Sequence, residues 1–182
     1  MARDKDIPAW AWWLLFGILA YPVGKAVTNV VFGRLESARL EKLAPDVKNA
    51  FFDFVRAAAQ EGYRVFAGRT AGTKAETAVH KAEGRSSVNV SWHDLRPPRA
   101  IDIKVGLMGK SLVTSPKEDN PQHVTMYRDV LRIAERYGFR QIGFFQDGSI
   151  RHLSSGAWDP YHIEYRGPFA NIQQAIAATG VA

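Results

Sequence analysis

The sequence predicts an α+β domain, a small and mainly antiparallel sheet flanked by helices, with an apolar helix ahead of it. Three observations carry that expectation. Two stretches of the chain repeat apolar residues at spacings of three and four, the signature of helices with one buried face. Several short alternating stretches lie between and after them without the regular strand–helix rhythm of a parallel sheet. The chain of 182 residues, 46% hydrophobic and 23% charged, suffices for one well-buried domain with a surplus at one end.

The surplus is N-terminal. Residues Ile7 to Gly24, "IPAWAWWLLFGILAYPVG", carry no charge, and eighteen residues is about the shortest span for a bilayer. Trp10, Trp12 and Trp13 cluster at one end and Tyr21 near the other, as interfacial aromatic belts do. Residues 1–24 are therefore expected to be a membrane segment, a buried core helix or an apolar arm docked on a protein being the plainer readings. A cleaved signal peptide fits less well, because Asp4 and Asp6 dilute the basic lead. Residues 25–39 gain charge at mixed helical spacing and read as a helical stem or linker, leaving 40–182 as the functional domain.

Within that domain "APDVKNAFFDFVRAAAQEG" is a helix with Val47, Phe51, Phe54, Val55 and Ala58 on one side, Asp46 as its N-cap and Gly62 as its stop. "YRVFAG" alternates like a strand. Residues 70–90 are rich in Gly, Ser, Thr and Ala and read as a long loop containing a short helix. "RAIDIKVGLM" is a second strand, "HVTMYRDVLRIAERYG" a second amphipathic helix, and "RQIGFF" and "YHIEY" two further strands around a polar segment.

Charge and cysteine content narrow the chemistry. A formal charge of +6 and a pI near 9.7 favour an anionic partner: nucleic acid, an anionic membrane face or a cell-wall polymer. No aromatic-basic RNA motif, helix-turn-helix or zinc finger accompanies the charge, which disfavours nucleic acid. With no cysteine, disulfides, thiolate catalysis and cysteine-ligated zinc are excluded. A metal must be held by His, Asp or Glu.

"SWHDLRPPRAID" places His93 and Asp102 on either side of a stiff connector, and "WDPYHIEY" adds His162 with Asp159 three residues before it. If the connector folds the chain back, His93 and Asp102 supply two ligands of a catalytic zinc and His162 a third, leaving a position for water. Asp159 could then move a proton without binding metal. Taken singly, each residue has a plainer reading: a structural histidine on a strand, or an aspartate starting a turn.

The combination resembles a known family, the zinc peptidases that include VanY-type D-alanyl-D-alanine carboxypeptidases and phage L-alanyl-D-glutamate endopeptidases, whose fold is related to the hedgehog signalling domain. Their first motif is Ser-x-His followed by Ala-x-Asp, with a longer proline-containing connector in one phage-type subgroup. Ser91, His93, Ala100 and Asp102 are similar to it in place. Their second motif, an acidic residue three positions before the last histidine and often after a tryptophan, is matched by Trp158, Asp159 and His162. The likeness spans roughly residues 40–166.

The resemblance implies a zinc ion on His93, Asp102 and His162, Asp159 as general base and then acid, and Arg69 on the oxyanion or a substrate carboxylate. It leaves Ser91 either orienting His93 from behind or capping a loop. His80, His123 and His152 are left to surface or structural roles, His152 being the one expected to line the cleft. The implied substrate is a peptidoglycan stem peptide. The glutamine that often follows the family's arginine has no counterpart in "AGTKAETAVH", so cleavage after L-alanine and release of terminal D-alanine both stay open. An endolysin-like enzyme, anchored by a signal-anchor segment or released into the periplasm or envelope, or carried on a virion, is the expected setting. The alternative is a silent wall-binding or virion structural module of the same fold.

Overall fold

The computed structural model describes residues 34–83, 88–153, 156 and 158–181. The Ile7–Gly24 run and most of the stem lie outside the described residues. Among the described residues no helix is long and apolar enough to cross a membrane. The chain divides into two compact units, Met1–Ser37 and Ala38–Ala182, and the second carries everything below.

Its elements run α1 (Arg34–Leu40, entering from the first unit), α2 (Pro45–Gln60), β1 (Tyr63–Arg69), α3 (Lys74–Ala82), a 3₁₀ turn (Trp92–Asp94), β2 (Ala100–Leu107), α4 (Pro121–Arg136), β3 (Phe139–Gln141), β4 (His162–Tyr165) and α5 (Ile172–Thr179). The four strands form one sheet in the order β1-β2-β4-β3, and every pairing is antiparallel. The α+β expectation thus holds.

The main core lies on one face of the sheet. Val65 and Ala67 of β1, Ile101, Ile103 and Val105 of β2 and Ile163 of β4 are buried, alternating with half-buried neighbours as a pleated strand requires. Helices α2 and α4 pack on this sheet and on each other. They bury Val47, Phe51, Phe54, Ala57 and Ala58 from α2, and Met126, Tyr127, Val130, Leu131, Ile133 and Ala134 from α4. Proline at the first helical position starts both helices, where its missing N–H would have no partner in any case. Gly62 and Gly138, at φ of 87° and 84°, turn the chain out of them into β1 and β3.

A smaller apolar cluster holds the start of β2. Trp92, Leu95, Ala100 and Ala175 are buried together, with Phe169, Ile172 and Ile176 packed against them. It joins the 3₁₀ turn to α5, a helix the sequence reading did not assign. Its signal was present: Asn171 accepts a hydrogen bond from the Gln174 N–H as N-cap ahead of an alanine-rich run.

Two expectations shift. The cap of α2 is Ala44, which makes no side-chain cap bond, and Asp46 sits inside the first turn because Arg99 claims its carboxylate. That guanidinium bonds both oxygens of Asp46, donates to the Tyr165 carbonyl at 3.0 Å, and lies over the rings of Tyr165 and Phe169. Strand β3 is shorter than "RQIGFF", because the Gln141 side chain closes on Phe144, accepting its N–H at 2.9 Å and donating to its carbonyl at 3.1 Å. The side chain there takes the place of the next strand pairing.

Burial works against the charged form of Asp46, but Arg99 outweighs it and holds the carboxyl below its ordinary 3.8. A depressed folded-state value means stability that is present above pH ~4 and lost as pH falls through the lower value. Asp46→Asn leaves a nearly buried guanidinium short of its counter-charge and should cost ~1–3 kcal/mol at neutral pH, read from the urea midpoint. The gap to the unaltered protein should narrow on acidification below pH ~4; a pH-independent gap would show that the pair adds no charge-dependent stability.

Candidate active site

On the sheet face opposite the main core, the register sets one row: Arg69 of β1 and His162 of β4 each lie opposite Asp102 of β2. Strict alternation after Val65 and Ala67 would turn residue 69 to the core. A bulge between Ala67 and Arg69 moves it to the Asp102 side, the re-aiming that bulges perform beside sites. Gly68 is the extra residue, and a Cβ there would stand 2.9 Å from the Asp102 carbonyl oxygen, so only glycine fits.

His93 reaches the row from the 3₁₀ turn. The Ser91 hydroxyl accepts the His93 N–H at 3.3 Å, and Asp94 accepts the Ser91 N–H at 2.8 Å, a reciprocal cap that fixes the turn. Ser91 therefore orients His93 through its backbone, by capping the loop. The connector then folds back: the Arg99 N–H bonds the Trp92 carbonyl at 3.0 Å, and buried Leu95 pins its middle.

Three donor atoms converge. His93 Nε2 lies 3.0 Å from Asp102 Oδ1 and 3.3 Å from His162 Nδ1, and His162 Nδ1 lies 3.1 Å from Asp102 Oδ1. Ligand atoms at about 2.0–2.2 Å from a tetrahedral zinc stand roughly 3.2–3.6 Å from one another, within a few tenths of an ångström of these spacings. Donor atoms this close to one another need a proton or a cation between them, and the donor set fits a metal ion. Among the described residues it is the one such group of His, Cys, Asp and Glu found.

The electrostatics favour a cation there. Burial disfavours a charged Asp102, but hydrogen bonds from His162 and His93 overcome it and hold the carboxyl well below the usual carboxylate range. Burial likewise disfavours an imidazolium at His162, yet Asp102 and Glu164 raise it to about 10. Glu164 is a residue the sequence reading missed. Its Oε1 stands 3.5 Å from His162 Nε2, the carboxylate–histidine arrangement that fixes which ring nitrogen faces a metal. The signal was its place two residues after His162 on one strand, hence on the same face.

Asp159 stands beside the set without joining it. Its carboxylate accepts the His162 backbone N–H, and Oδ1 is buried with no hydrogen-bond partner. Burial is the main reason that its proton is held more tightly than an ordinary carboxyl's; His162 opposes and the charge of Asp102 adds. Arg69 is partly engaged, with Nη2 3.3 Å from Glu76 and Nε donating to the Ala71 carbonyl at 3.3 Å. Gly72, also unassigned from sequence, closes the corner. Its N–H bonds the His93 carbonyl at 2.9 Å, and a Cβ would stand 2.7 Å from Arg69 Nη2 and 2.9 Å from Asp94 Oδ1. His152 pairs with Glu118 at 2.7 Å in an exposed contact, and His123 Nδ1 accepts the Lys117 N–H; neither these nor His80 enters the ligand group.

No family model and no curated protein matches the chain. Solved structures do. The L-Ala D-Glu endopeptidase ChiX of Serratia marcescens is similar over 71% of this chain and 85% of its own, at 14% identity and a TM-score of 0.48. The LD-carboxypeptidase LdcB is similar over 75% of this chain and 64% of its own, at 18% identity and 0.47. A D,D-pentapeptidase VanY in complex with Zn(II) is similar over 77% of this chain and 80% of its own, at 19% identity and 0.40.

Because Glu164 holds the ring of His162 from behind, Glu164→Ala should leave the fold intact and weaken zinc binding by ~10–100-fold, measured by competition with a chromophoric chelator. Unchanged affinity would mean that the strand alone orients the ring.

Proposed function

We propose that the Ala38–Ala182 unit is a zinc peptidase acting on peptidoglycan stem peptides, with the L-alanyl-D-glutamate bond as first choice and terminal D-alanine release as second. The observation that carries this reading is the convergence of His93 Nε2, Asp102 Oδ1 and His162 Nδ1 with buried Asp159 alongside. Two histidines and one carboxylate also suit non-haem iron; a carboxyl poised to take and return a proton favours hydrolysis. The likeness of both sequence motifs to the zinc peptidases supports the substrate class, and the charge of +6 suits an anionic envelope.

When bound, zinc supplies Lewis-acid activation of water and of the scissile carbonyl. Asp159 takes the proton of the attacking water and returns it to the leaving amine nitrogen, for which its raised affinity for a proton is the right adjustment. Arg69, set opposite Asp102, can leave its exposed partner Glu76 at small cost and turn its planar fork to the developing oxyanion. Glu164 and Ser91 keep the two histidines in place. The uncharged Ile7–Gly24 run is proposed as a membrane segment that leaves this unit on the wall side, anchored or released.

Purified peptidoglycan incubated with the zinc-loaded chain should yield new amino termini, identified by mass spectrometry, and a variant with alanine at His93, Asp102 and His162 should yield none and hold no zinc. Wall fragments bound without new termini would point instead to a binding module. Asp159→Ala should keep a full zinc complement and lose ~10²–10⁴-fold in rate; loss of zinc with activity would make Asp159 a ligand.

A further inference from the structure

The face that carries the ligands continues along β2. Lys104 follows Asp102 by two residues and so shares its face, roughly 7 Å along the strand. It pairs directly across with Phe66 of β1. Its side chain lies back toward the ligand row: the position a Cβ would take on Gly68 is 3.5 Å from Lys104 Cε and 2.9 Å from the Asp102 carbonyl oxygen. The glycine at the bulge is what leaves room for the lysine stem.

The charges nearest the ligand row are occupied, while Arg140 lies opposite Glu164 on β3, two strands from Lys104. Asp102 and Glu164 are turned to the histidines, and Arg69 is held by Glu76 and the Ala71 carbonyl. Arg64 lies over the Phe66 ring, 5.3 Å from its centroid, and donates to the Lys110 carbonyl at 3.0 Å. Lys104 makes no ion pair or hydrogen bond among the described residues. A half-buried lysine whose stem lies against the bulge beside the ligand row, lacking a counter-charge, is suited to an anion brought by the substrate.

We propose that Lys104 anchors the free carboxylate of the residue released by cleavage, and so makes the site selective for substrates bearing a carboxylate next to the scissile bond. The proposal rests on the peptidase reading. It fits both candidate cuts, since D-glutamate linked onward through its side chain and terminal D-alanine each present a free α-carboxylate one residue past the bond. A lysine acts here as a point charge on a flexible stem, reaching a carboxylate without demanding the bidentate geometry of arginine.

The test uses the zinc-loaded full chain and two stem tetrapeptides that differ only in whether the residue after the cleaved bond, D-glutamate or terminal D-alanine, carries its α-carboxylate or an α-carboxamide. Lys104→Met should raise KM for the carboxylate peptide ~10–100-fold with kcat changed less than ~3-fold, leave the carboxamide peptide unaffected, and so abolish discrimination between them; Lys104→Arg should restore part of it. Equal losses on both peptides, or none on either, would overturn the proposal. If the unaltered chain cleaves neither, the peptidase reading fails. Calorimetry then decides the subsite separately: preference for the carboxylate peptide that is lost in Lys104→Met supports it, and equal binding by both proteins overturns it.

Discussion

Everything at the site depends on one antiparallel row, Arg69–Asp102–His162, held across three strands by backbone hydrogen bonds. A register slip of one residue on either side of β2 would send the whole facing set to the core. The cores on the two faces prevent it. Ile101 and Ile103 are buried on the face that α4 covers, while Ala100 is locked on the other side by Trp92, Leu95 and α5. Asp102 therefore occupies a position fixed from both faces, and the other ligands are brought to it.

Bringing them there works against stability. Three converging polar side chains and the buried unpartnered oxygen of Asp159 are arrangements that a packed core avoids. The unit holds them with local devices: the Ser91–Asp94 cap for His93, Glu164 for His162, and Gly68, where a side chain would collide with the Asp102 carbonyl. Small residues and reciprocal caps of this kind are how a fold holds converging polar side chains in one geometry.

Much of this was legible in the sequence, for physical reasons that differ by element. Helices α2 and α4 are long enough for their apolar period to be unmistakable, and His93, Asp102, Asp159 and His162 stood out because their spacing has a chemical meaning. Asp46 was misread as a cap because its partner Arg99 lies 53 positions away. Gly68 looked like any strand glycine until the register showed a bulge. Glu164 was within reach of the two-residue period, yet a carboxylate after a histidine has many plainer readings. The role of α5 needed the tertiary contact of Ala175 with the turn that carries His93.

The converging donor atoms and Asp159 are held by different kinds of structure. Asp102 and His162 sit on paired strands, where the ladder limits motion. Asp159 precedes Pro160 outside the sheet, and its position is set by packing: the Trp158 indole donates to the Gly143 carbonyl at 2.9 Å, its ring meets Phe144 edge to face, and a Cβ on Gly143 would stand 2.7 Å from Pro160 Cα. Gly143 thus lets the Asp159–Pro160 backbone approach closely, and burial is the main influence raising the affinity of Asp159 for a proton. The convergence of the three donor atoms thus rests on the strands and the 3₁₀ turn, while the surroundings of Asp159 rest on the loop between β3 and β4.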